Sequence, residues 1–235
     1  MKRNDLFVAR GEKHMCGRFS LRVEMDELLS HYGLVQGSFT FVPRYNIAPG
    51  QWITALIGAN EGRRLGPLKW GLVPSWATDE RQGYKMINAR AETLSVKPAF
   101  RQSFSSRRCI IPADGYYEWK KDTKQPYRIT TKDESILSLA ALYDSWVAPD
   151  GNKLHTCTII TTESNDMLSA IHDRMPVIVP QEHHDTWLDR GISDTSSLQP
   201  LLIPFPGEQL RAYEVSPMVG NVNNDVPECI QPYEQ

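Results

Sequence analysis

The chain has 235 residues, with 26 Lys and Arg against 28 Asp and Glu and a formal charge of −2, so no global basic field draws it to nucleic acid. A hydrophobic fraction of 40% and six tryptophans exclude a disordered chain and supply a real core. The four cysteines, at 16, 109, 157 and 229, lack redox-motif and zinc-finger spacing, which suits free thiols in a reducing compartment, and no apolar run is long enough to span a bilayer.

Residues 1–14 are polar and charged apart from Leu6-Phe7-Val8-Ala9, too little for a signal-peptide core or a place in the fold. A cytoplasmic protein is expected, with 1–14 a leader absent from the mature form and 15–235 one domain. Apolar residues at 25, 28, 29 and 32 predict a short helix over 24–32, stopped by Gly33. Residues 52–57 and 68–72 read as strands, and a loop with Pro74, Trp76 and Gly83 leads into Ile87-Asn88-Ala89-Arg90. Further strands are predicted at 108–111, 116–119, 127–131, 136–143 and 155–162, the last two apolar enough to be central. A short helix at 166–171, a strand at 175–179, a helix at 182–188 and a strand at 210–216 follow. Residues 191–207, rich in Ser, Gly and Pro, read as a loop. Many short strands, few helices and no βαβ rhythm predict an α+β fold: a single domain on a curved mixed β-sheet or barrel-like core with short flanking helices. No Gly-rich phosphate loop and no ligand pair at metal spacing is present, so neither cofactor nor metal is expected.

Cys16 follows Met15. If translation starts at Met15 and the initiator is removed, Cys16 becomes an amino terminus with an amine and a thiol on adjacent carbons. An aldehyde condenses with such an amine to an imine, and the thiol closes a thiazolidine ring. An internal cysteine cannot do this, and most free cysteines are simply small buried residues. Glu118 lies between aromatics on a predicted strand. Burial there would raise its pKa and poise it for proton transfer, but strand alternation equally allows a surface position. Taken singly, His172 fits a helix C-terminus, Asn88 a turn, and Arg90 and Arg174 surface charges. Trp76 fits a core cap or a stacking platform for bases.

Together these segments resemble one family. Cys16-Gly17-Arg18-Phe19 after a methionine, Arg44-Tyr45-Asn46-Ile47-Ala48-Pro49-Gly50, Trp70-Gly71-Leu72-Val73-Pro74-Ser75-Trp76, Asn88-Ala89-Arg90-Ala91-Glu92, Gly115-Tyr116-Tyr117-Glu118-Trp119 and His172-Asp173-Arg174-Met175-Pro176 are similar to the motifs of the SRAP family, the SOS-response-associated peptidase-like proteins that shield abasic sites in DNA. The run from Val215 to Val222 is similar to that family's C-terminal signature. The likeness runs from about residue 15 to the end, in the family's order.

The resemblance implies single-stranded DNA containing abasic sites as the partner and covalent crosslinking through Cys16, as part of a DNA-damage response. Glu118 would assist ring opening and shuttle protons, Asn88 would orient the Schiff base, and His172 would stabilise the intermediate. Arg90, Arg174 and, more weakly, Arg18 fit phosphate contacts, where a planar guanidinium matches phosphate oxygens. Pro49, Trp76 and Trp119 would form an apolar wedge beside the lesion. A monomer is expected, nucleoid-associated when on damaged DNA. Residues 1–14 conflict with this chemistry while attached: either Met15 is the true start, or the leader is a propeptide, or it persists and crosslinking is lost. Two other functions stay open: a cysteine peptidase or autoprotease using Cys16, His172 and Glu118, and a non-catalytic single-strand binder.

Overall fold

The computed structural model describes residues 16–35, 41–59 and 62–233; the expected leader lies outside them. Twelve strands are described: β1 (Phe19–Leu21), β2 (Arg44–Ile47), β3 (Trp52–Ala59), β4 (Gly62–Trp70), β5 (Asn88–Arg90), β6 (Arg108–Ala113), β7 (Gly115–Trp119), β8 (Pro126–Thr131), β9 (Leu137–Val147), β10 (Lys153–Glu163), β11 (Arg174–Pro176) and β12 (Leu210–Glu214). Four short α-helices accompany them: α1 (Met25–Tyr32), α2 (Pro98–Ser106), α3 (Asp166–Ser169) and α4 (His184–Leu188). The expected α+β architecture with a barrel-like core is what forms.

Five strands close a barrel in the order β10, β4, β3, β6, β9, with β9 returning to β10. The β3–β4 hairpin pairs Trp52 with Lys69 and Ala59 with Gly62, and β10 runs parallel to β4 at Thr156–Lys69. Leu56, Ile110 and Leu142 are fully buried, each removing a side chain worth about 1.5–3 kcal/mol from water. Beyond the barrel's rim the C-terminal half of β10 also carries β5 and β11. A second sheet, in the order β12, β8, β7, β1, β2, shares the same core through Phe19, Leu21, Tyr116 and Ile129.

Local chemistry explains most elements. α1 buries Leu28 and Tyr32, and Gly33 ends it at φ 62°, the left-handed turn a helix C-terminus needs. Arg108, itself buried, donates to the carbonyls of Phe104 in α2 and Trp187 in α4, both at 2.7 Å, and so ties two helices to the barrel. Gly71 at φ 125° lies against Gly83: a Cβ on Gly71 would sit 2.8 Å from the Gly83 carbonyl. The Trp70–Trp76 segment thus begins as a packing device.

Several expectations need correction. The sequence reading misses β1, β2, α2 and the first half of β4. Gly66, Pro67 and two arginines hide β4, a strand defined by its hairpin partner. α2 was signalled only by Pro98 at its first turn and by Phe100 and Phe104 one turn apart on its buried face. Residues 191–207 are not all loop, since a 3₁₀ helix spans Thr195–Leu201. The strand expected at 175–179 forms over Arg174–Pro176, and the one at 210–216 ends at Glu214.

The C-terminal stretch folds back over β2, and Asn46 holds it there. Its fully buried amide nitrogen donates to the carbonyls of Val219 and Asn221 (both 3.1 Å) and Asn224 (2.6 Å), and its oxygen accepts from Arg18 at 2.8 Å. Asp225 closes the same seam, accepting from the Tyr45 and Asn46 amides and pairing with Arg44. Asn46→Ala is expected to cost about 1–3 kcal/mol, because it strips partners from buried polar groups. A lower urea midpoint at unchanged slope would show it; an unchanged midpoint would remove Asn46 from the seam.

Candidate active site

β1 and β7 build the first half of the site. They pair antiparallel, Phe19 against Tyr116 and Ser20 against Gly115. Gly115 is required here, since a Cβ would meet the Arg128 guanidinium at 2.8 Å. Just before β1, Cys16 turns at φ 43°, an unusual conformation for a residue with a side chain. That turn brings its nitrogen to 2.7 Å from Glu118 Oε1, and its thiol hydrogen-bonds to the same carboxylate. Both reactive atoms of Cys16 therefore address one acid.

Glu118 is 4% exposed. Burial pushes its carboxyl up to about 7, against the opposing pull of the hydrogen bonds from Cys16 and the Trp119 backbone. Burial and the Glu118 charge push the Cys16 thiol well above its ordinary value, while Arg174 pulls the other way. Tyr116 stands on the same face of β7 as Glu118, two residues away. Its hydroxyl is buried with no protein partner, and burial, then the Cys16 and Glu118 charges, hold it firmly protonated. Tyr116 was missed from the sequence, although the alternation that places it beside Glu118 was readable.

β10 assembles the second half. Asn88 and Arg90 on β5 lie opposite Ile159 and Thr161; on β11, Arg174 lies opposite Glu163. The Asn88 amide nitrogen is buried and unpartnered. His172 is 9% exposed, and its Nδ1 accepts from the Arg174 backbone N–H at 3.1 Å, which places the proton of the neutral ring on Nε2. Arg174 donates to both oxygens of Glu92, at 2.6 and 3.0 Å, and to the Thr161 carbonyl at 2.6 Å. Lys121, on the turn after Trp119, pairs with Asp173 and ties the two halves together.

The other expected residues are more scattered. Arg18 faces the protein: it donates to Asn46 and, at 2.6 Å, to the Val219 carbonyl, and it lies 5.7 Å over the Trp119 ring. Trp119 is partly buried beside Tyr117, Val215 and Val219. Pro49 is half-buried in the turn before β3, beside Gly50, whose N–H donates to Trp70. Trp76 is 57% exposed on its loop, and Arg90 is exposed. Among the described residues, no group of three or more His, Cys, Asp and Glu side chains is placed to hold a metal, and no helix is long and apolar enough to cross a membrane.

The family model for SOS response associated peptidase (SRAP) matches residues 15–222. The abasic site processing protein YoqW of Bacillus subtilis is 48% identical over 222 residues, 92% of this chain and 99% of that protein. The abasic site processing protein HMCES of Rattus norvegicus is 30% identical over 93% of this chain and 76% of its own length. A crystal structure of a Bacteroides thetaiotaomicron protein superposes with a TM-score of 0.83 at 30% identity, over 93% of this chain and all of that one.

Proposed function

The chain belongs to the SRAP family, and from that premise we propose that it processes abasic sites in single-stranded DNA by crosslinking to them through Cys16. Residues 1–15 must first be lost, because the attacking nitrogen has to be an amine. The amine adds to the open-chain aldehyde of the abasic deoxyribose, and one water leaves as the C=N bond forms. The sulfur then adds to the imine carbon, its proton passes to nitrogen, and the thiazolidine closes with no further leaving group.

The observation that carries this reading is the convergence of the Cys16 nitrogen and thiol on Glu118. An α-amine titrates at about 7.7–8.0, so a carboxyl near 7 takes its proton at little cost and returns it to the departing hydroxyl. Asn88, with its free buried amide nitrogen, is assigned to orient the imine. His172 is assigned to stabilise the intermediate, and Arg90 and Arg174 to hold flanking phosphates. Trp119, Pro49 and Trp76 supply apolar surface for bases, and Arg18 braces Trp119 from the protein side. The Cys16 backbone supports loss of the leader. A left-handed residue with a side chain costs about 1–2 kcal/mol, and that torsion loses its meaning once no residue precedes it. A thiol peptidase draws less support, because burial and the Glu118 carboxylate hold the thiol protonated.

Intact-mass spectrometry of the protein expressed from its native upstream DNA, before and after incubation with an abasic oligonucleotide, tests the proposal. The expected mass begins at Cys16, and the expected adduct is the sum of the two partners less one water. A mass retaining residues 1–15, with no adduct, would overturn it.

A further inference from the structure

Glu92 closes the Asn88–Glu92 segment and has no part in the chemistry above. It nonetheless makes the best-oriented contact of the second half-site. Both of its oxygens accept from the two Nη atoms of Arg174, the fork-to-fork geometry in which guanidinium binds carboxylate or phosphate equally well. The two partners are held very differently. The Arg174 side chain is 11% exposed and anchored from behind by the Thr161 carbonyl; that of Glu92 is 45% exposed. The arginine is held from two sides, while the carboxylate has solvent beside it and only the arginine to hold it among the hydrogen bonds described. Arg90 adds only a weaker, longer-range attraction to the same carboxylate. A singly charged group with two oxygens seated in the Arg174 fork presents what a phosphodiester would present to the same guanidinium.

We propose that Glu92 is a place-holder for a DNA phosphate, filling the Arg174 fork until a backbone phosphate of the bound strand displaces it. The inference rests on the DNA-binding reading above and names what regulates it. A strand without an abasic site gains a phosphate contact with Arg174 and loses the Glu92 contact, an exchange close to neutral. An abasic strand makes the same exchange and adds the bond to Cys16. Glu92 therefore weakens noncovalent retention of both strands alike, and only the damaged strand makes up the loss through its bond to Cys16, which makes Glu92 a specificity-determining residue.

The test is noncovalent binding of the full chain and its Glu92→Gln variant to two single-stranded oligonucleotides, one intact and one carrying a tetrahydrofuran abasic analogue that lacks the aldehyde. Fluorescence anisotropy is read across a salt series. Glu92→Gln is expected to bind both oligonucleotides about three- to fivefold more tightly at low salt, the range of an exposed ion pair. In an Arg174→Gln background, most of the gain from Glu92→Gln should disappear. A residue that merely props Arg174 in place predicts the opposite sign, weaker binding in Glu92→Gln, and that result or equal binding would overturn the proposal. If neither protein shows salt-dependent binding to either oligonucleotide, the DNA-binding reading itself fails.

Discussion

Glu118→Gln is expected to slow adduct formation by roughly 10²–10⁴-fold, the usual worth of a positioned acid–base group, and at the same time to stabilise the fold. The two effects share one cause. Glu118 titrates at about 7 in the fold against an ordinary 4.5, because it is buried. Below pH 4.5 the carboxyl is protonated whether the chain is folded or not, and the shift has no consequence. Between 4.5 and about 7 the unfolded chain releases a proton that the fold retains, so stability falls as pH rises. Above about 7 both states are ionised and the loss stays constant, at about 3 kcal/mol. Glutamine has no proton to lose and escapes this slope. Urea midpoints of the two proteins should therefore coincide in acid and separate above neutrality, with the variant the more stable. Parallel pH profiles would mean that Glu118 is not desolvated as described. An adduct formed at the wild-type rate would remove Glu118 from the mechanism.

Asp114→Ala should cost about 3–5 kcal/mol of stability, since it leaves one member of a buried ion pair alone. Asp114 accepts from Arg128 Nη2 at 2.8 Å, from the Ser20 hydroxyl at 2.5 Å and from the Arg22 amide at 2.6 Å. Arg128 is 3% exposed, and without the Asp114 carboxylate its side chain keeps the Tyr213 and Ser20 hydroxyls and the backbone carbonyl of residue 114 as partners but has no counter-charge in contact. In a chain of this size the loss corresponds to a melting temperature lower by about 6–20 °C. The damage also reaches the chemistry, because Ser20 belongs to the strand that presents Cys16. A loss below about 1 kcal/mol would show that water or a rearranged Arg128 replaces the carboxylate, and the buried-pair argument would fall.

The parts of this fold that could be read from the sequence are those whose neighbours are local. α1 shows its buried face and its Gly33 stop, and β9 and β10 are continuous apolar runs. β1 and β2 are strands of three and four residues that exist only because distant partners pair with them. The site divides in the same way. Cys16 and Glu118 could be singled out from their chemistry, but alternation along β7 left the face of Glu118 open. Both faces are in fact buried, Tyr116 against the main core and Tyr117 against Val215, Val219 and Cys229, an arrangement no local pattern announces. Asn46 looked like one of several polar residues in a chemical motif and turns out to be a clasp. Arg18 and Arg174 were read by charge alone, and the groups that hold them, Val219 and Glu92, are 201 and 82 residues away.

The two half-sites belong to different sheets, and the chain interleaves them. It starts in the open sheet, enters the barrel at β3, leaves for β7 and β8, returns at β9 and leaves again for β12. No single cut separates a piece holding one sheet from a piece holding the other. Because the two sheets also share one hydrophobic core, the barrel and the open sheet are expected to melt in a single transition. Bringing Cys16 together with Asn88, Arg90 and Arg174 would then be part of the same cooperative event as folding itself.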